Sequence, residues 1–235
     1  PDYSAAYVTI ETSDPNLKGF GIAFTLGKGN DIVAECIRNY FPIFLGSTID
    51  DIYKNIGKLW YEVADHSQLR WLGPEKGVVH MALSAIFNAL WDLIAKKHNI
   101  PLWKFIIDCH PDEIIDWLTF KYIEDVLTPD EAHKILSENQ KHKDKRIKIL
   151  LEEGYPAYTT AAGWLGYSNK KIVELCNKYM EQGWSHFKIK VGTDLDEDIR
   201  RLEIIRNTIG DECSIMVDAN QQWSISQSIK HINAY

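Results

Sequence analysis

Apolar residues follow two periods along this chain, and the change from one to the other divides it. Near the start, Tyr7-Val8-Thr9-Ile10-Glu11-Thr12 and Phe20-Gly21-Ile22-Ala23-Phe24-Thr25 read as two strands joined by the polar, turn-rich residues 13–19. The spacing then lengthens to three and four, which predicts helices over 31–45 and 51–64. The longest helix is predicted over 77–97, with Val79, Leu83, Ile86, Leu90 and Leu93 as its buried stripe and Pro101 closing the pattern. Thr128-Pro129-Asp130-Glu131 opens a further helix, with Thr128 as cap, Pro129 in the first turn and Glu131 as reciprocal acceptor. It continues, with a break, toward Glu153-Gly154.

From there strand and helix alternate. Tyr155-Pro156-Ala157-Tyr158-Thr159-Thr160 reads as a strand, and Ser168-Asn169-Lys170 opens the periodic set Ile172, Leu175, Cys176, Tyr179 and Met180, closed by Gly183. The apolar run Phe187-Lys188-Ile189-Lys190-Val191 follows, then a helix through Ile199, Leu202, Ile205 and Ile209 to Gly210, then Met216-Val217-Asp218-Ala219-Asn220. Ala162, Lys190 and Asp218 recur at equal intervals, and eight such units make up the roughly 250 residues of a closed (β/α)8 barrel. The fold class predicted is an α+β N-terminal capping domain over residues 1–154 followed by an α/β TIM-type barrel from 155–235, with about the first three βα units present.

Lys188 and Lys190 lie two apart on a strand, so both ammonium groups leave one face. Held together in a shielded place they repel, which lowers the pKa of at least one toward the range useful for a base. Asp218, at the next strand's end, supplies a hard oxygen of the kind Mg2+ takes. Each position also has a plainer reading: Lys-Ile-Lys suits the solvated face of an edge strand, and Asp-Ala-Asn suits a turn. What favours the chemical reading is the interval, which puts all three side chains at the carboxyl ends of parallel strands, where barrels keep their reactive groups.

With these motifs the chain resembles the mandelate-racemase-like branch of the enolase superfamily, and within it the L-fuconate dehydratases. The stretch Leu69-Arg70-Trp71-Leu72-Gly73-Pro74-Glu75-Lys76-Gly77, the helix end Ala89-Leu90-Trp91-Asp92-Leu93-Ile94-Ala95-Lys96 and the strand at Tyr155 carry the likeness beyond the lysine pair. The resemblance implies a Mg2+-dependent dehydration of a sugar acid. Lys190 would be the base, Lys188 and Asn220 would bind substrate with Tyr3, and Asp218 would be a metal ligand. It also implies a capping domain over the barrel mouth, an extra helical segment before the barrel, a homo-oligomer for the whole enzyme, and a mitochondrial or cytoplasmic location. Trp164 could line the pocket, although a core or rim role fits as well. His186, His133 and His142 lack metal-ligand spacing.

Composition narrows the field. The 235 residues are 45% hydrophobic and 25% charged, an ordinary globular balance, and the net charge of −7 argues against a nonspecific nucleic-acid binder. The basic run Lys141-His142-Lys143-Asp144-Lys145-Arg146 reads as a solvated helix face. Gly27-Lys28-Gly29 lacks the rest of a phosphate-binding loop. Cys36, Cys109, Cys176 and Cys213 are unpaired in spacing and read as reduced, mostly buried thiols. No apolar run is expected to span a membrane.

The family pattern also calls for two more acidic metal ligands and a later Asp-His pair, and none is found before Tyr235, which ends the chain inside a third helical pattern. The expectation is therefore a fragment of a longer enzyme, inactive alone. The alternative is a noncatalytic relative that keeps the fold for binding or regulation.

Overall fold

A computed structural model describes residues 3–235 apart from Gly73, Pro74 and Lys76, so those three positions of the Leu69–Gly77 motif lie outside the described residues. The chain forms two compact units, one up to Ile147 and one over Lys148–Tyr235.

In the first unit, β1 (Ser4–Glu11) and β2 (Lys18–Thr25) pair antiparallel in the register Tyr7↔Ile22. Their inner face, with Ala6, Val8, Ile10 and Ala23 buried, rests on the long α4 (Val78–Lys97), which follows α1 (Asn30–Tyr40), α2 (Ile49–Lys54) and α3 (Ile56–Ala64). The contact is backbone to backbone. A Cβ at Gly21 would stand 1.9 Å from the Ala85 carbonyl oxygen, so only glycine lets helix and hairpin meet there. Val79, Leu83, Ile86, Leu90 and Leu93, the predicted stripe, are all buried, and so are Ala82, Ala85, Ala89 and Ile94. Burial of more than a stripe explains why α4 is by length and composition apolar enough to cross a membrane, contrary to the sequence expectation. Those side chains are the core of the unit.

Local chemistry adjusts the predicted boundaries. The helix expected over 31–45 ends at Tyr40 and tightens into a 3-10 turn at Phe41–Phe44, where Pro42 enters. The one expected over 51–64 breaks at Asn55, whose ψ of 13° leaves the helical region. Two short helices, α5 (Leu102–Asp108) and α6 (Pro111–Trp117), follow Pro101. Then come α7 (Pro129–Gln140), with Thr128 and Glu131 capping each other's backbone as expected, and α8 (Lys143–Glu153), which crosses from the first unit into the second.

In the second unit, α9 (Asn169–Glu181), β3 (His186–Lys190), α10 (Leu195–Ile209), β4 (Ser214–Asp218) and α11 (Ile225–Ile232) alternate as the pattern requires. The β3 and β4 strands are parallel, in the register Lys190↔Asp218. Phe187 and Ile189 are fully buried in a core with Ile172 and Cys176 of α9 and Ile205 of α10, so the alternating Lys188 and Lys190 leave the other face. The strand expected at 155–160 shrinks to a single parallel bridge, Thr159↔Phe187, continued by Lys190 N donating to Gly163 O at 2.8 Å. Pro156 has no N–H for a ladder, and Tyr155 and Tyr158 are exposed rather than packed.

Cys36, Cys109 and Cys176 are buried free thiols and Cys213 is half-buried and free.

Candidate active site

The carboxyl ends of β3 and β4 gather four of the five residues singled out in the sequence. Lys188 Nζ and Lys190 Nζ donate to the same oxygen, Oδ2 of Asp218, at 2.9 and 2.8 Å. Lys190 Nζ also donates to Asn220 Oδ1. The other Asp218 oxygen, Oδ1, accepts the Asn220 backbone N–H at 3.0 Å. Asp218-Ala219-Asn220 is thus also the turn that its residue types suggest: Asn220 has φ 49°, which Asn tolerates better than most residues, and the turn fixes the Asp218 carboxylate.

Electrostatically the cluster departs from expectation. The lysines do not face each other bare, because a carboxylate lies between them. The hydrogen bond to Asp218 pushes the Lys188 pKa up rather than down. The same contacts, from Lys190 first and then Lys188, hold the Asp218 carboxyl well below the usual carboxylate range.

Two aromatic rings border the lysines. Tyr158 lies with its ring centroid 5.1 Å from Lys188 Nζ, and Trp164 5.9 Å from Lys190 Nζ, both within cation–π reach. Trp164 is therefore at the rim of the site, and Tyr158 is a neighbour that sequence reasoning did not name as a site residue. Tyr3 belongs to the first unit, just before β1. It is exposed, with its ring 5.4 Å from that of Phe24.

A second group missed in the sequence lies beneath. Asp198 and Arg201, each 1% exposed, are buried on α10 between the strand ends. The available signal was their spacing: Asp198 and Arg201 fall on the same helical face as Leu202, Ile205 and Ile209, whereas Ile199, expected on the stripe, is only half-buried.

Asp218 is an oxygen donor of the type Mg2+ takes, and it already attracts two cationic groups to one oxygen, so it fits one place in a metal shell. Among the described residues no group of three or more His, Cys, Asp or Glu side chains is arranged to hold a metal ion.

Residues 3–106 match the mandelate racemase / muconate lactonizing enzyme N-terminal domain, and residues 171–235 match the enolase C-terminal domain-like family. The chain belongs to the enolase superfamily. It is 45% identical over 231 residues to mitochondrial enolase superfamily member 1 of Homo sapiens, and 44% identical over 234 residues to L-galactonate dehydratase of Hypocrea jecorina, in each case across 98% of this chain and 52% of the relative. The crystal structure of human mitochondrial enolase superfamily member 1 superposes with a TM-score of 0.94 at 44% identity, covering 100% of this chain and 53% of that one. L-talarate/galactarate dehydratase of Salmonella typhimurium LT2, solved with Mg and L-lyxarohydroxamate, shares the fold at a TM-score of 0.68 and 24% identity, over 97% of this chain and 46% of that one. The chain thus spans about half the length of the curated relatives it matches.

Proposed function

We propose that this chain carries the capping domain and first catalytic wall of a Mg2+-dependent sugar-acid dehydratase acting on L-fuconate. The observation that carries the reading is the convergence of Lys188, Lys190 and Asn220 on Asp218 at the ends of two parallel strands. The likeness to an L-galactonate dehydratase supports the substrate class. L-fuconate differs from L-galactonate only at C6, so the reacting C2 and C3 are the same in both.

In this reading Lys190 removes the proton from C2, next to the carboxylate. Lys188, its ammonium kept charged by an anionic partner, holds that carboxylate and takes up part of its charge. The Asn220 amide, with Oδ1 turned to Lys190, offers Nδ2 to a substrate hydroxyl. Asp218 would hold Mg2+, which when bound stabilises the negative charge that develops on the substrate carboxylate oxygens. Loss of the C3 hydroxyl as water and tautomerisation of the enol then give 2-keto-3-deoxy-L-fuconate. The names of the mitochondrial relatives support a mitochondrial location.

The alternative is a noncatalytic relative that keeps the fold to bind or regulate. Keto-acid formation separates the two. In the full-length protein, given L-fuconate and L-galactonate before and after chelation and Mg2+ readdition, the dehydratase reading expects product that chelation stops and Mg2+ restores. No product from either acid, with the protein folded, supports the second reading.

A further inference from the structure

Asp198 and Arg201 are buried charges that the chemistry above does not use. Their mutual contact is the longest they make: Nη1 of Arg201 stands 3.5 Å from Asp198 Oδ1. The short bonds go to main chain. Arg201 Nη1 donates to Lys190 O at 2.8 Å, and Nη2 donates to Gly163 O at 3.0 Å and Trp164 O at 3.1 Å. Asp198 Oδ2 accepts the Gly192 N–H at 2.7 Å and the Tyr235 hydroxyl at 3.4 Å. A buried ion pair is weak support for stability in itself, because desolvating two charges offsets most of their attraction. Geometry explains this one better. Strand ends run out of ladder partners, and carbonyls left bare inside a protein are costly. A planar guanidinium can hold several carbonyls in fixed directions at once.

We infer that Asp198 and Arg201 are a positioning pair that locks the backbone on both sides of Lys190 and ties it to the turn carrying Trp164. Lys190 then has its carbonyl on Arg201, its N–H on Gly163 O, itself held by Arg201, and the N–H two residues on held by Asp198. The side chain leaves a backbone with little freedom, so Nζ stays aimed at Asp218. The kinetic part of this inference rests on the proposed dehydration; the structural part does not.

The test is Arg201→Lys in the full-length protein, which keeps the charge but replaces the planar fork by a single ammonium. Site-resolved amide hydrogen exchange should quicken at Lys190 and Gly192 by about tenfold or more, with α4 amides unchanged. With L-fuconate, kcat should fall roughly 10- to 100-fold while KM stays within about threefold, as for a misplaced base. Asp198→Asn, of the same shape, should loosen Gly192 while leaving the Arg201 contacts to Gly163 and Trp164, and it serves if Arg201→Lys fails to fold. Exchange unchanged at Lys190 and Gly192, or raised equally through all of α9 and α10, would overturn the inference. A wild-type protein without turnover would sink the dehydration reading, and the exchange data would still decide the role of the pair.

Discussion

Replacing Gly163 by alanine isolates one contact on which the site depends. A Cβ there would stand 2.3 Å from Lys188 O and 2.8 Å from Ile189 Cα, against the 3.4 Å at which ordinary contact begins. Both obstacles are backbone and cannot rotate away, so the turn and β3 must part by about 1 Å. Gly163 is not among the glycines with φ in the left-handed region, so the cost comes from the contact alone. Overpacking of this kind costs about 1–3 kcal/mol. Alanine also removes freedom from the unfolded chain, worth about 0.4–1 kcal/mol in the other direction, and the net loss expected is about 1–2 kcal/mol in urea titration. Turnover should suffer more: the Lys190 N–H bonds to Gly163 O, and a shift of about 1 Å at a catalytic group costs roughly 100-fold. Gly166→Ala is the control. With φ 78° and nothing within 4 Å of its Cβ, it carries a backbone penalty of about 1–2 kcal/mol without pressing on β3. Equal turnover losses in the two variants, or a Gly163→Ala protein with wild-type stability and rate, would refute the reasoning.

Other perturbations have separate outcomes. Leu83→Ala, at a fully buried position of α4, should cost about 2–5 kcal/mol in denaturant titration, and a cost under 1 kcal/mol would mean that α4 is not the centre of its core. Thr128→Ala removes half of a capping box and should lower stability by about 0.5–2 kcal/mol without altering turnover. Burial pushes the Cys176 thiol up to about 11, so its thiolate is scarce at pH 8, about one part in a thousand, and becomes appreciable only as pH approaches that value. A thiol reagent should therefore spare Cys176 in the folded protein at pH 8 and label it once denaturant is added. Asp218→Asn keeps the shape and removes the charge; calorimetry should show Mg2+ affinity lost, and retained affinity would remove Asp218 from the metal shell.

Much of the fold was legible because strong periods leave few choices. The 20-residue α4 and the β1–β2 hairpin read directly, and the equal spacing of Ala162, Lys190 and Asp218 anticipated strands whose register pairs Lys190 with Asp218. Short elements were harder. The seven-residue helices α5 and α6 hold too few turns to show a stripe, and the break at Asn55 sits inside an otherwise continuous helical pattern. The first barrel strand was over-read: its Tyr-Pro-Ala-Tyr-Thr-Thr composition suits a strand, yet only Thr159 bridges to β3. At the site, residue types and interval found Lys188, Lys190 and Asp218, and the resemblance added Asn220, but neither gave their charge balance, since nothing in Lys-Ile-Lys says that Asp218 will stand between the ammonium groups. Asp198 and Arg201 were hidden for a related reason. Charges on a helix read as solvated until the backbone they serve is seen.

The division of labour in which Lys190 removes the C2 proton while Lys188 holds the carboxylate is open to steady-state kinetics of Lys190→Ala beside Lys188→Ala in the full-length protein with L-fuconate and Mg2+. Lys190→Ala should lower kcat about 100- to 10,000-fold and abolish solvent-deuterium exchange at C2, whereas the Lys188→Ala defect should be dominated by a higher KM. A Lys190→Ala protein that still exchanges the C2 proton at the wild-type rate would contradict it.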